Sequence, residues 1–128
     1  MSGTVSNFTL QLIHASDLEA ANTALSRMPQ FAAVEDKLSG QYANTLKIIS
    51  GDAWLNGPFY AAEGDPSETA ALRAALAAAG VTGAATATVA STRVDVAFMN
   101  LIGTNVASFG NHEFDSGTGP INDALEPG

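Results

Sequence analysis

Three residues in this chain have the chemistry and the placement to hold a divalent cation: Asp17, Asp52 and Asn111. Each follows a short run that reads as a β-strand. Ligand sites in open α/β sheets collect at the carboxyl ends of strands, so residues distant in sequence can meet there. Hard or borderline divalent cations take carboxylate, amide and imidazole ligands. Two cations about 3.5–4 Å apart need a bridging carboxylate and can clamp a phosphoryl group between them. Gly51 precedes Asp52 and Gly110 precedes Asn111. A glycine at those points lets the backbone turn sharply and aim the next side chain inward.

The elements that must position these residues follow from apolar spacing. Residues 8–13 alternate and then turn apolar, which predicts a strand ending in the polar cluster His14-Ala15-Ser16-Asp17. Residues 18–28 read equally as a loop or a short helix. Pro29 is placed to open a helix over 29–41, with Phe31, Val34 and Leu38 at helical spacing. A second strand is expected over 44–50, running into Gly51-Asp52. A Gly/Pro-punctuated loop over 53–66 holds Trp54, Phe59 and Tyr60, whose expected role is to cover the core. Ser67 is the expected cap of a helix over 68–79, with Gly80 as its stop. Residues 81–91 read as an insert or a weak strand. A helix over 92–102 should turn Val94, Val96, Ala97 and Leu101 inward, and a short strand over 105–108 leads to Phe109-Gly110-Asn111-His112. The fold class expected is α/β, a layered βαβ-type unit with a small, mostly parallel sheet flanked by helices.

Length and composition set outer bounds. The 128 residues suit one domain, 46% hydrophobic and 14% charged. The abundance of Ala predicts a thin core. Five basic residues and a net charge of −8 provide no footprint for a nucleic-acid polymer and disfavour an anionic membrane. The absence of Cys excludes disulfides and thiolate metal sites. The N-terminal run Met-Ser-Gly-Thr-Val-Ser-Asn has neither a basic nor an apolar segment, so no secretion signal is expected. No apolar stretch has the length of a bilayer span.

With these motifs in order, the chain resembles a known family. His14-Ala15-Ser16-Asp17-Leu18-Glu19, Gly51-Asp52 and Gly110-Asn111-His112-Glu113-Phe114-Asp115 are similar to the calcineurin-like metallophosphoesterases, in particular the 5′-nucleotidase branch. The resemblance covers roughly residues 8–118 and corresponds to the N-terminal half of that family's catalytic domain. It implies a single domain over 1–128. Residues 1–7 and 119–128 are expected to be flexible, and 120–126 reads alternatively as one helical turn or two. The resemblance also implies hydrolysis of a small-molecule phosphate ester by a metal-activated water, with one or two divalent ions (Mn, Zn, Mg or Ca). By position, Asp17 would bind the first metal and Asp52 would bridge both, while Glu19 reads equally as a further metal ligand and as a surface acid. Asn111 would bind the second and touch the phosphate. His112 would protonate the leaving oxygen or stabilise the phosphoryl charge, and Asp115 would orient His112. A periplasmic or extracellular location is implied as well.

Two departures from the family pattern matter. Glu19 stands where the family has a histidine, which favours harder metals. The only histidines are His14 and His112, so none follows His112 to supply the family's later ligands. His14 is read as a hydrogen-bonded support and not a ligand, and Glu113 as a brace for the backbone of its own turn. The alternative to an enzyme is a non-catalytic metal-binding or structural module. An open sheet edge predicts self-association into a homo-oligomer.

Overall fold

The computed structural model describes residues 7–18, 23–53, 65–86 and 94–125. The order is β1 (Gln11–Ala15), α1 (Thr23–Ser39), β2 (Thr45–Ser50), α2 (Pro66–Ala78), a 3₁₀ turn (Ala84–Thr86), α3 (Val94–Leu101), β3 (Val106–Ser108), a second 3₁₀ turn (His112–Phe114) and α4 (Gly119–Leu125). The three strands form one parallel sheet in the order β1-β2-β3. The chain is therefore α/β with a small open parallel sheet and helices.

Register explains where the strands begin and end. Gln11 pairs with Thr45 and Ala15 with Ile49. Residues 8–10, expected within the strand, precede the start of β2 and have no ladder partner in the described sheet. They are tied instead by the Asn44 amide donating to the Thr9 carbonyl at 3.1 Å. At the other end, pairing with Ile48 and Ile49 carries β1 on through His14 and Ala15.

Ladder partners share a face, and successive residues alternate between faces. Lys47 and Ile49 lie on the face that the helices cover. Ile49 is buried with Ala53 and Ile121, and Ala15, Leu18, Val96 and Met99 pack around them. Lys47 pairs with the buried Glu35 of α1 at 2.8 Å and donates to the Ile102 carbonyl beyond α3 at 2.6 Å. One lysine thus ties the central strand to two helices. Leu12, His14, Leu46, Ile48 and Val106 lie on the opposite face. That face is open: Leu12 is 59% exposed and Val106 49%. A second small cluster, Leu76, Ala84 and Ala97 with Val81 against it, sits between α2 and α3. Among the described residues, three of the eight buried hydrophobics are alanines, so the core they form is thin, as the composition implies.

Several local expectations are corrected. Helix α1 begins at Thr23, and Pro29 lies inside it instead of opening it. The helix tolerates the proline at the cost of one backbone bond. Asp65, not Ser67, caps α2; its carboxylate accepts from the Ser67 backbone N–H at 2.8 Å, with Pro66 in the first turn. Within the 81–91 stretch, read as an insert or a weak strand, residues 84–86 form a 3₁₀ turn, and 87–91 lie outside the described residues. Leu101, expected inward, is 46% exposed because α1 and α3 leave a hollow beside it. Phe98, not singled out from the spacing, is buried and packs on Phe31. Finally, 119–125 is not a flexible tail. It is helix α4, and Ile121 is anchored in the Ile49 cluster. Trp54, Phe59 and Tyr60 lie outside the described residues. No helix among the described residues is long and apolar enough to cross a membrane.

Candidate metal and phosphate site

The loops after β1, β2 and β3 meet at the carboxyl end of the sheet. Asp17 follows β1, Asp52 follows β2 and Asn111 follows β3. The Asp17 backbone N–H donates to the Gly51 carbonyl at 3.2 Å, which fastens the first loop to the second.

The second and third loops touch backbone to backbone. A Cβ on Gly51 would lie 2.7 Å from the Gly110 Cα. A Cβ on Gly110 would lie 2.7 Å from the Asp52 nitrogen and collide with its carboxylate. Only glycine fits at either position. Gly51 also has φ +89°, a left-handed conformation that glycine adopts freely.

A buried carboxylate holds this contact. Glu113 is 2% exposed. It accepts from the backbone N–H groups of Asp52 at 2.9 Å, Ala53 at 2.6 Å and Gly110 at 2.5 Å. Glu113 thus braces its own turn at Gly110 and also the loop after β2, which sequence adjacency gave no reason to expect. Asp52 returns the connection: its Oδ1 accepts from the His112 backbone N–H at 2.9 Å.

Asp17 and Asp52 both have positive φ, +53° and +51°. Aspartate tolerates this region better than most residues, yet each instance costs on the order of 1 kcal/mol. Two such residues at adjacent strand ends indicate that the fold holds these carboxylates against a local preference.

His112 is half-buried, and its Nδ1 lies 2.8 Å from Asp115 Oδ2. A carboxylate on Nδ1 fixes the proton there in the neutral ring and leaves Nε2 as the basic nitrogen. Behind the site, on the open face, His14 Nε2 is hydrogen-bonded to Ser50 Oγ at 2.7 Å. His14 is exposed and turned to that face, so its partner is a hydroxyl.

The structure therefore gathers Asp17, Asp52, Asn111, His112 and Asp115 at one end of the sheet. Glu19 lies outside the described residues. Asp17 and Asp52 carry carboxylate oxygens and Asn111 an amide oxygen, the donor type that hard divalent cations take. Among the described residues no group of three or more His, Asp or Glu side chains is gathered to hold a metal ion. The chain matches no protein-family model, no curated protein and no solved structure.

Proposed function

We propose that the chain carries a metal-dependent phosphoesterase site acting on small-molecule phosphate esters, built as one half of a calcineurin-like metallophosphoesterase domain of the 5′-nucleotidase type. The observation that carries this reading is the link between Asp52 and His112. The carboxylate offered to the cation also anchors, through Oδ1, the turn that presents the imidazole. A ligand and a proton carrier are thereby held in fixed relation.

Charge makes a cation necessary to this reading. Asp17, Asp52, Glu113 and Asp115 surround the strand ends, and the chain carries −8 overall. A phosphate ester approaching them alone would be repelled. A bound divalent cation would offset that charge, polarise the phosphoryl oxygens and activate water. Asp17, Asp52 and Asn111 would hold it, with Glu19 as a further donor. Mn²⁺, Mg²⁺ or Ca²⁺ suits an oxygen-rich set better than Zn²⁺. His112, protonated at Nε2, would deliver a proton to the leaving alkoxide, and Asp115 would stabilise the ring's charge and orientation. Glu113 acts on neither substrate nor cation. It positions the loops.

A second reading, a metal-binding or structural module without turnover, is favoured by the small number of clustered donors among the described residues. One sample separates the two. Protein loaded with manganese should melt at a higher temperature than the chelated form and also release phosphate from 4-nitrophenyl phosphate. A raised melting temperature with no phosphate released selects the second reading.

A further inference from the structure

Beside the strand ends, α1 and α3 leave a hollow of about 160 Å³ lined by Asp17, Leu18, Arg27, Met28, Phe31 and Phe98. Four of these side chains are apolar, and one is the proposed metal ligand that follows β1. The hollow opens to solvent on one side, and its volume leaves room for at least one benzene-sized ring. Phe31 and Phe98 touch each other with centroids 5.8 Å apart and planes tilted by 60°. They form one wall, so a guest packs on that wall and does not slot between the rings. Met28 offers a thioether, which packs well on aromatic edges. Arg27 offers a guanidinium of the kind that stacks on ring faces.

A second hollow, of about 330 Å³, shares Met28 and Phe98 but reaches Leu101 and Ile102 instead of Asp17. Among the described residues its lining has no acidic side chain. The smaller hollow is the one placed to serve the strand-end carboxylates.

We infer that the smaller hollow receives one aromatic ring on the alcohol side of the phosphate ester. The substrate class is then aryl or benzyl phosphates. This inference rests on the phosphoesterase reading above.

The test uses protein labelled with ¹³C at the methionine methyl groups, with magnesium present, titrated with phenyl phosphate, glycerol 2-phosphate and inorganic phosphate. Phenyl phosphate should move the Met28 methyl through its ring current. The other two should leave it in place. Leu18→Phe, which fills the hollow, and Phe31→Ala, which removes half the wall, should each weaken phenyl phosphate binding at least fivefold. The Met99 methyl, packed against the core, reports whether each variant is folded. An equal Met28 shift with glycerol 2-phosphate, or unchanged affinity in folded variants, overturns the inference. Phosphate release is followed in the same samples. Release without a Met28 shift removes the ring site and leaves the phosphoesterase reading. A ring-dependent shift with no release from any ester removes that reading and leaves the ring site.

Discussion

Glu113 shows what a single buried side chain can do for a site it does not join. Its carboxylate satisfies three backbone N–H groups from two loops. Glu113→Ala would strand all three donors in a buried place, at roughly 1–3 kcal/mol each. We expect a loss of at least about 3 kcal/mol in urea unfolding, a large share of a typical domain's margin. A loss under about 1 kcal/mol would show that water or a relaxed loop replaces the carboxylate. The bracing of Gly110 was legible in the sequence, since the two residues share a turn. The reach to Asp52 and Ala53 was not, because it depends on two glycine backbones lying in contact. Asp17, Asp52 and Asn111 were legible for a different reason: each stands just past a strand, and parallel neighbours bring such positions together.

At the level of elements, apolar spacing located the three strands and helices α1 to α3, missed the 3₁₀ turns, and failed at the ends of what it found. Ends are decided by partners and caps, which spacing does not encode. Pro29 was read as an opener because proline is best tolerated there, yet α1 extends six residues before it. Asp65 was passed over for Ser67, although Asp followed by Pro is itself a helix-start pattern. The Ser67 backbone N–H, and secondarily its hydroxyl, hold the Asp65 carboxyl below its usual range. A folded-state pKa below the unfolded value stabilises the protein above the unfolded value, about 3.9. That contribution fades as pH falls through the folded value. Asp65→Ala should therefore lower the urea midpoint at pH 7, and the gap from the parent protein should narrow by pH 3. A gap that is the same at both pH values would assign the effect to packing.

Among the described residues, the helices that touch the sheet lie on one face of it. Both outer strands, β1 and β3, have an edge unpaired within the described sheet. The face carrying Leu12, Ile48 and Val106 has no charged residue at its ladder positions. Open edges invite pairing, and exposed apolar faces seek cover. We expect the chain to self-associate at micromolar concentration, and Leu12→Lys to shift it toward the single-chain mass. Sedimentation showing one folded chain throughout would contradict this. The open face could not be read from the sequence. An apolar strand looks the same whether one side or both are covered, and only the parallel order β1-β2-β3 shows that the helices lie together. Helix α4 was legible only as a turn or two over 120–126, since a Gly/Pro-rich tail gives little sign that Ile121 will seal the core.

Asp52 is where the three scales meet, because its loop is strained, braced and central to the sheet. Losing a group that merely supports a metal ligand costs about 10–100-fold in affinity or activity, so losing a direct ligand should cost at least about 100-fold. The decisive measurement is hydrolysis of 4-nitrophenyl phosphate by the parent protein and by Asp52→Ala, each with manganese and with a chelator. Circular dichroism would confirm that the variant is folded. We predict turnover only in the parent protein with the metal present. Turnover that survives Asp52→Ala, or that persists in the chelator, would contradict a phosphoesterase site built on this carboxylate.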